Sequence, residues 1–198
     1  MNHGIPITLP AKMEARPRET ALRTDRLVAG DRAEFEQLVR LHQDRVARLA
    51  GRLMGWPTDV RDVVQEVFLS AWKGITGFQG KSGIDTWLTR ITINTCRTVR
   101  RRRLLNLRFR MQRGAEGGPV HASASDQPSM DRETDARVRR AVRALSLRYR
   151  QVVVLRYLEE MPIAEIGPLL GITRNTVEVR LNRARKKLKH TLSDLVKD

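Results

Sequence analysis

The chain has a single cysteine, Cys96, among 198 residues. That excludes an internal disulfide and any zinc site built on cysteine pairs. Its four histidines, His3, His42, His121 and His190, are scattered, and none is paired at metal-ligand spacing. Aromatic residues make up only 5% of the chain, too few for the core of a large β-sandwich. No apolar run approaches the ~18 residues of a membrane span, and the first residues carry no apolar signal core, so a cytoplasmic location is expected. No Ser/His/Asp set, paired-carboxylate cleft or complete phosphate-binding loop can be recognised. Catalysis, a metal, a cofactor and a small-molecule substrate are therefore not expected. Acids are scarce as well: 22 Asp and Glu against 38 Lys and Arg leave a formal charge of +16. Such an excess points to a polyanionic partner, either nucleic acid or an anionic membrane face.

What the chain does have is helical periodicity, most sharply from Met161 to Leu188, MPIAEIGPLLGITRNTVEVRLNRARKKL. The pattern predicts a short helix, a turn at Gly171 and a longer basic helix capped by Thr173. Stepping about 100° per residue from Val177 brings Leu181, Ala184 and Leu188 within about 40° of it. These residues make a narrow stripe for packing on the preceding helix. Asn175, Glu178, Val179, Asn182, Arg183 and Lys186 point the other way, towards base edges if the helix lies in a major groove. Arg174, Arg180, Arg185 and Lys187 flank that face within reach of phosphates. The unit reads as a helix-turn-helix. One residue disagrees: Pro168 removes a bond to Ala164, which predicts a kink or a shortened first helix around Gly167 and Pro168.

The rest of the chain is read in order. Residues 1–24 hold Pro6, Pro10 and Pro17 without periodicity and read as a flexible tail. From Asp31 to Met54, Phe35, Leu38, Val39, His42, Val46, Leu49 and Leu53 recur at steps of three and four, a long amphipathic helix closed by Gly55 and Pro57. His42 falls on its inner stripe and reads as a packed histidine. The next helix spans about 58–73, with Thr58 or Asp59 as cap. Val60, Val63, Val64, Val67, Phe68 and Ala71 share an arc of about 140°. Opposite them lie Asp59, Asp62, Gln65, Glu66 and Leu69, with Trp72 at the edge. In so basic a chain this acidic stripe with an apolar centre is either a solvated face or a docking surface for a basic partner.

A glycine-rich connection follows over 74–83. Its Gly80-Lys81-Ser82 imitates the end of a phosphate-binding loop, but Ile75 stands where that motif needs glycine. Phe78, Gln79, Lys81 and Ser82 can instead hold an extruded base. From Ile84 to Arg103 the pattern is helical again. Trp87, Leu88, Ile91, Thr95 and Val99 lie inside, and Arg90, Asn94, Arg97, Thr98 and Arg101 outside. Polar Asn94 and Thr98 beside the arginines favour nucleic acid over membrane. Cys96 lies on this helix and reads as buried packing. Periodicity is then lost until about residue 130. Val138, Ala141, Val142 and Leu145 mark a short helix. Tyr149, Val152, Val153, Leu155 and Arg156 mark another before the helix-turn-helix. The fold class is all-α: a tail over 1–24, a helical domain over 25–105, a flexible linker over 106–130 and a second helical domain over 131–198.

Two basic modules on a tether, one acidic helix and one groove-reading helix, in this order, resemble a bacterial extracytoplasmic-function (ECF) RNA polymerase sigma factor of the sigma-70 family. DVRDVVQEVFLSAW resembles the polymerase-binding helix of region 2.2. FQGKSGIDTWLTRITINTCRTVRRRR resembles regions 2.3 and 2.4, and LSLRYRQVVVLRYLEEMPIAEIGPLLGITRNTVEVRLNRARKKL resembles region 4. The resemblance implies that Asp59, Asp62, Gln65, Glu66, Leu69 and Trp72 bind the β′ clamp helices of core RNA polymerase, and that the second domain meets the β flap. It implies that Phe78, Gln79, Lys81, Ser82, Arg90, Asn94, Arg97, Thr98 and Arg101 capture and melt the −10 promoter element. Arg174, Asn175, Thr176, Glu178, Val179, Arg180, Asn182, Arg183 and Lys186 would read the −35 element in promoter DNA. An anti-sigma factor, often membrane-anchored in this family, is a further implied partner. The chain departs from the family pattern at Ile84 and Asp85, at Pro162, at Gly167-Pro168 and at Glu178. The alternative reading is a free-standing helix-turn-helix regulator that binds its operator without polymerase.

Overall fold

The computed structural model describes residues 23–55, 60–112 and 130–193. Helix α1 (Thr24–Val28) is a short element the periodicity did not predict, and it buries Leu27. Helix α2 (Arg32–Met54) begins and ends where its caps put it. Asp31 Oδ1 accepts from the amides of Ala33 at 2.9 Å and Glu34 at 3.2 Å. Gly55 closes the helix in the left-handed region at φ 89, a conformation glycine adopts without strain. Helix α3 (Arg61–Gly74) starts later than expected, and the proposed caps Thr58 and Asp59 lie outside the described residues.

Helix α4 (Ile84–Gln112) runs 29 residues, well past the expected end near residue 103. Leu104 to Gln112 hold good helix formers, and the first glycine is Gly114, so nothing stops propagation at 105. Residues 106–112, expected as the start of a linker, are therefore helix. The rest of that expected linker, 113–129, lies outside the described residues. Leu27, Leu38, Val46, Val67, Phe68, Ala71, Ile75 and Leu88 form the core in which α1–α4 meet.

The second domain comprises α5 (Met130–Ala144), α6 (Leu147–Val153), a π-helical turn over Val154–Leu158, α7 (Ile163–Leu170) and α8 (Arg174–Thr191). Val138, expected to face inward on α5, is 36% exposed, whereas Ala141, Val142 and Leu145 are buried. Helix α7 is short but continues through Pro168. Of the kink or shortened helix expected there, the short helix is what forms, and it accommodates Pro168 because Pro168 and Ala164 both lie on the exposed side. Water can serve the carbonyl that lost its amide. Gly167 is needed for a different reason: a Cβ there would sit 2.9 Å from the Ile172 carbonyl oxygen. Gly171 turns the chain at φ 69, and Thr173 caps α8 by accepting from the Thr176 amide at 3.2 Å.

The two domains pack on each other. Leu49, Ala50, Leu53, Val63, Ile93 and Cys96 of the first share one cluster with Val152, Leu155, Met161, Ile166, Leu169, Leu170, Val177 and Leu181 of the second. Polar links cross the same seam. Arg52 donates to the Leu158 carbonyl at 3.0 Å and pairs with Glu159 at 2.7 Å. Arg150 donates to the Leu53 carbonyl at 3.2 Å.

Candidate nucleic-acid interface

Helix α8 presents the face its sequence outlines. Val177, Leu181 and Ala184 are buried against the rest of the domain. Arg174, Asn175, Glu178, Val179, Asn182, Arg183 and Lys186 are exposed, with Thr176 and Arg180 half-buried beside them. Arg174 donates to Glu178 at 3.0 Å, so that carboxylate already has one cationic partner on its own helix.

On α3, Val63, Val67, Phe68 and Ala71 face the core, while Asp62 and Gln65 are exposed and Glu66 is half-buried. Between these polar residues Leu69 is 53% exposed and Trp72 40% exposed. Trp72 rests edge-on against Phe35 of α2, with ring centroids 4.9 Å apart. This contact fixes an apolar ledge beside the acids. Arg102, from the long α4, donates to Glu66 at 3.1 Å, a contact the sequence did not announce. Asp59 lies outside the described residues.

On α4 the expected outer face divides in two. Arg90, Asn94, Thr98 and Arg101 are exposed. Arg97 instead turns to the second domain, where it donates to Gln151 at 3.3 Å and to the Leu170 carbonyl at 3.5 Å. Burial and then the nearby Arg180 hold its guanidinium pKa below the ordinary value. In the connecting loop Gln79, Lys81 and Ser82 are exposed, with Gly80 at φ 65 making the bend. Phe78 is half-buried, its ring centroid 5.3 Å from that of Trp87.

The loop leads directly into an anchored helix start. Arg45 of α2 donates to the Asp85 carboxylate at 2.8 Å and to the Thr89 hydroxyl at 3.0 Å. The buried His42 places Nδ1 3.2 Å from the same carboxylate. His42 is thus a packed, partnered histidine, and Asp85, a departure from the family pattern, ties α4 to α2. Among the described residues no three His, Cys, Asp or Glu side chains gather where a metal ion could sit. No described helix is long and apolar enough to cross a membrane.

These features define a two-domain, all-helical DNA-binding factor with a separate acidic surface. Residues 38–104 match the Sigma-70 region 2 family and residues 135–188 match Sigma-70, region 4. The chain is 33% identical to the ECF RNA polymerase sigma factor SigM of Mycobacterium tuberculosis, over 85% of this chain and 82% of SigM. Among solved structures it is similar to CnrH in complex with the cytosolic domain of CnrY, with TM-score 0.61 and 30% identity over 86% of this chain and 95% of that one. Its fold is also that of the sigma factor RpoE solved with the anti-sigma factor NepR from Bartonella quintana, with TM-score 0.65 and 22% identity over 81% of this chain and 97% of that one. The chain belongs to the ECF sigma factors of the sigma-70 family. It is an initiation factor that directs RNA polymerase to promoters, and the family is not catalytic in its own right.

Proposed function

We propose that the three exposed surfaces divide the work of initiation between the domains. The α3 stripe of Asp62, Gln65, Glu66, Leu69 and Trp72, together with Asp59 earlier in the chain, docks on the β′ clamp helices of core polymerase. The loop residues Phe78, Gln79, Lys81 and Ser82, with Arg90, Asn94, Thr98 and Arg101 and, once the domains part, Arg97, capture and melt the −10 element. Arg174, Asn175, Thr176, Glu178, Val179, Arg180, Asn182, Arg183 and Lys186 read the −35 element, and the second domain also meets the β flap. The observation that carries this reading is the apolar ledge of Leu69 and Trp72, left open amid carboxylates on a chain of formal charge +16. Melting needs no hydrolysis by the protein, since contacts to extruded bases offset the lost stacking of a few kcal/mol each. The chain acts in the cytoplasm, and an anti-sigma factor holds it in check there or at the membrane.

The packed arrangement of the domains is the resting form under this reading. By their names the two elements lie about 25 base pairs apart, on the order of 85 Å of duplex at ~3.4 Å per pair. With Arg97 in contact with Leu170, α4 and α8 cannot occupy both elements at once. Core polymerase therefore binds an opened form. The test is transcription by purified core polymerase with and without the protein. Promoter-dependent transcripts should appear only with it, and tight operator binding without polymerase would favour the free-standing regulator.

A further inference from the structure

Beside the reading helix lies a cleft of about 170 Å³ between α6 and α8. Arg148 and Tyr149 form one wall, and Thr176, Val179, Arg180 and Arg183 form the other. Three guanidinium groups thus meet around a small open space, and no carboxylate among the described residues lines it. The nearest acid along α8, Glu178, is already engaged by Arg174 at 3.0 Å. Arginines from a helix outside the reading helix were not part of the sequence pattern, and nothing in that pattern marks Arg148.

Tyr149 organises the cleft. Its ring is buried with Val142, Val153 and Ala184, which locks its position. The Arg148 guanidinium lies over that ring, 4.8 Å from the centroid, a cation–π stack that limits where it can point. Arg183 faces the Tyr149 hydroxyl, and its pull on the phenolate oxygen, ahead of the charges of Arg148 and Lys187, draws the phenol pKa below its usual value. One buried ring therefore sets the direction of the Arg148 guanidinium beside Arg180 and Arg183. Arginine held in this way offers planar, paired donors matched to a phosphate's oxygens. Across the domain seam burial and then the charge of Arg180 disfavour the charge of Arg97.

We propose that Arg148, Arg180 and Arg183 bind one backbone phosphate of duplex DNA, with Tyr149 as the platform that positions Arg148. The ligand is a phosphodiester flanking the bases under α8, because Arg148 stands on a helix that does not enter the groove and so aligns rather than reads. The proposal rests on the assignment of α8 as the −35 reader. The contact fixes the angle at which α8 enters the groove, so the cleft adds affinity and register without adding sequence preference of its own.

The test uses the holoenzyme made with core polymerase. A promoter library randomised over the −35 element yields a preferred sequence, and binding to it is then measured between 50 and 200 mM salt. Losing one phosphate contact lowers the slope of log affinity against log salt by about 0.9. Arg148→Ala should show that loss, with weaker binding and an unchanged preferred sequence. Tyr149→Leu fills the core but removes the aromatic face under Arg148, so it should show part of the same loss of slope with the preferred sequence again unchanged. An unchanged slope in Arg148→Ala overturns the proposal, and so does an altered preferred sequence, which would make Arg148 a base reader. Inorganic phosphate at matched ionic strength should not compete. Selective competition that Arg148→Ala removes would assign the cleft to a free oxyanion instead. If the wild-type holoenzyme shows no −35 preference, the reading of α8 fails first, and the slope difference still reports on the phosphate contact.

Discussion

The guanidinium of Arg150, in α6, lies 3.2 Å from the carbonyl oxygen of Leu53 in the last turn of α2. The same group donates to the Leu145 carbonyl at 3.1 Å and to that of Arg143, where α5 ends. Two helix C-termini, each with carbonyls lacking an amide partner, thus converge on one cation. No carboxylate among the described residues compensates it. Arg150 is 4% exposed and its Nε has no partner. Burial, then Arg100 and Arg143, push its pKa down to about 10. It stays charged at neutral pH, held across the domain seam by dipoles and carbonyls alone.

Arg150→Ala should therefore loosen the packed form. A hydrogen bond from a charged group contributes about 1.5–3 kcal/mol, so the balance between packed and open forms should shift by roughly tenfold or more. Small-angle scattering would show this as a larger radius of gyration, and association with core polymerase should become faster. A variant as compact as the wild type would assign the seam to its apolar residues alone.

Cys96 offers an independent readout of opening. It belongs to the apolar cluster shared by both domains, and burial raises its thiol pKa from 9.0 to about 12. Only the thiolate reacts, so alkylation at pH 8 should be very slow in the packed form. It should speed up in Arg150→Ala or in the presence of core polymerase if opening wets the seam. The raised pKa also sets a pH dependence. The folded state keeps its proton between pH 9 and 12 while the unfolded chain loses it, so Cys96 makes the fold less stable as pH rises through that window.

Substitutions in the α3 stripe should separate binding from folding. Asp62 is exposed and Leu69 is 53% exposed, so Asp62→Lys with Leu69→Asp should change thermal stability little, within about 0.5 kcal/mol per site. Capture of core polymerase in a pull-down should fall by at least about tenfold, a loss of roughly 1.4 kcal/mol. Capture at the wild-type level would move the docking face elsewhere.

Gly167→Ala should damage the helix-turn-helix although it adds one methyl group. The new Cβ would meet the Ile172 carbonyl oxygen at 2.9 Å, and overpacking of this kind costs about 1–3 kcal/mol. A lower melting temperature and weaker dependence on the −35 element, with core binding retained, are the expected results. Pro168→Ala, on the exposed side of the same helix, should be tolerated.

The sequence alone determined most of what depends on one-sided helices. Val177, Leu181 and Ala184 on α8, and Val63, Val67 and Ala71 on α3, are buried along one side of their helix. Their apolar spacing therefore names the buried face, and by subtraction the exposed one. The caps Asp31 and Thr173 and the turns at Gly55 and Gly171 were legible too, because a backbone amide or a left-handed φ accepts few residue types.

Tertiary structure decided what happens on α4. That helix packs Leu88 and Ile91 into its own domain's core and Ile93 and Cys96 into the cluster shared with the second domain. With two partners on different sides, its apolar residues spread around the axis, and the single stripe read from the sequence left Ile93 unplaced and put Arg97 in solvent. Arg97 and Arg150 show the same limit. An arginine in a basic helix reads as a solvated or phosphate-facing charge, because nothing local to it says that another domain will supply carbonyl acceptors. Those acceptors, on Leu170 and Leu53, come from helix ends far away in the chain, and only the folded arrangement brings them within reach.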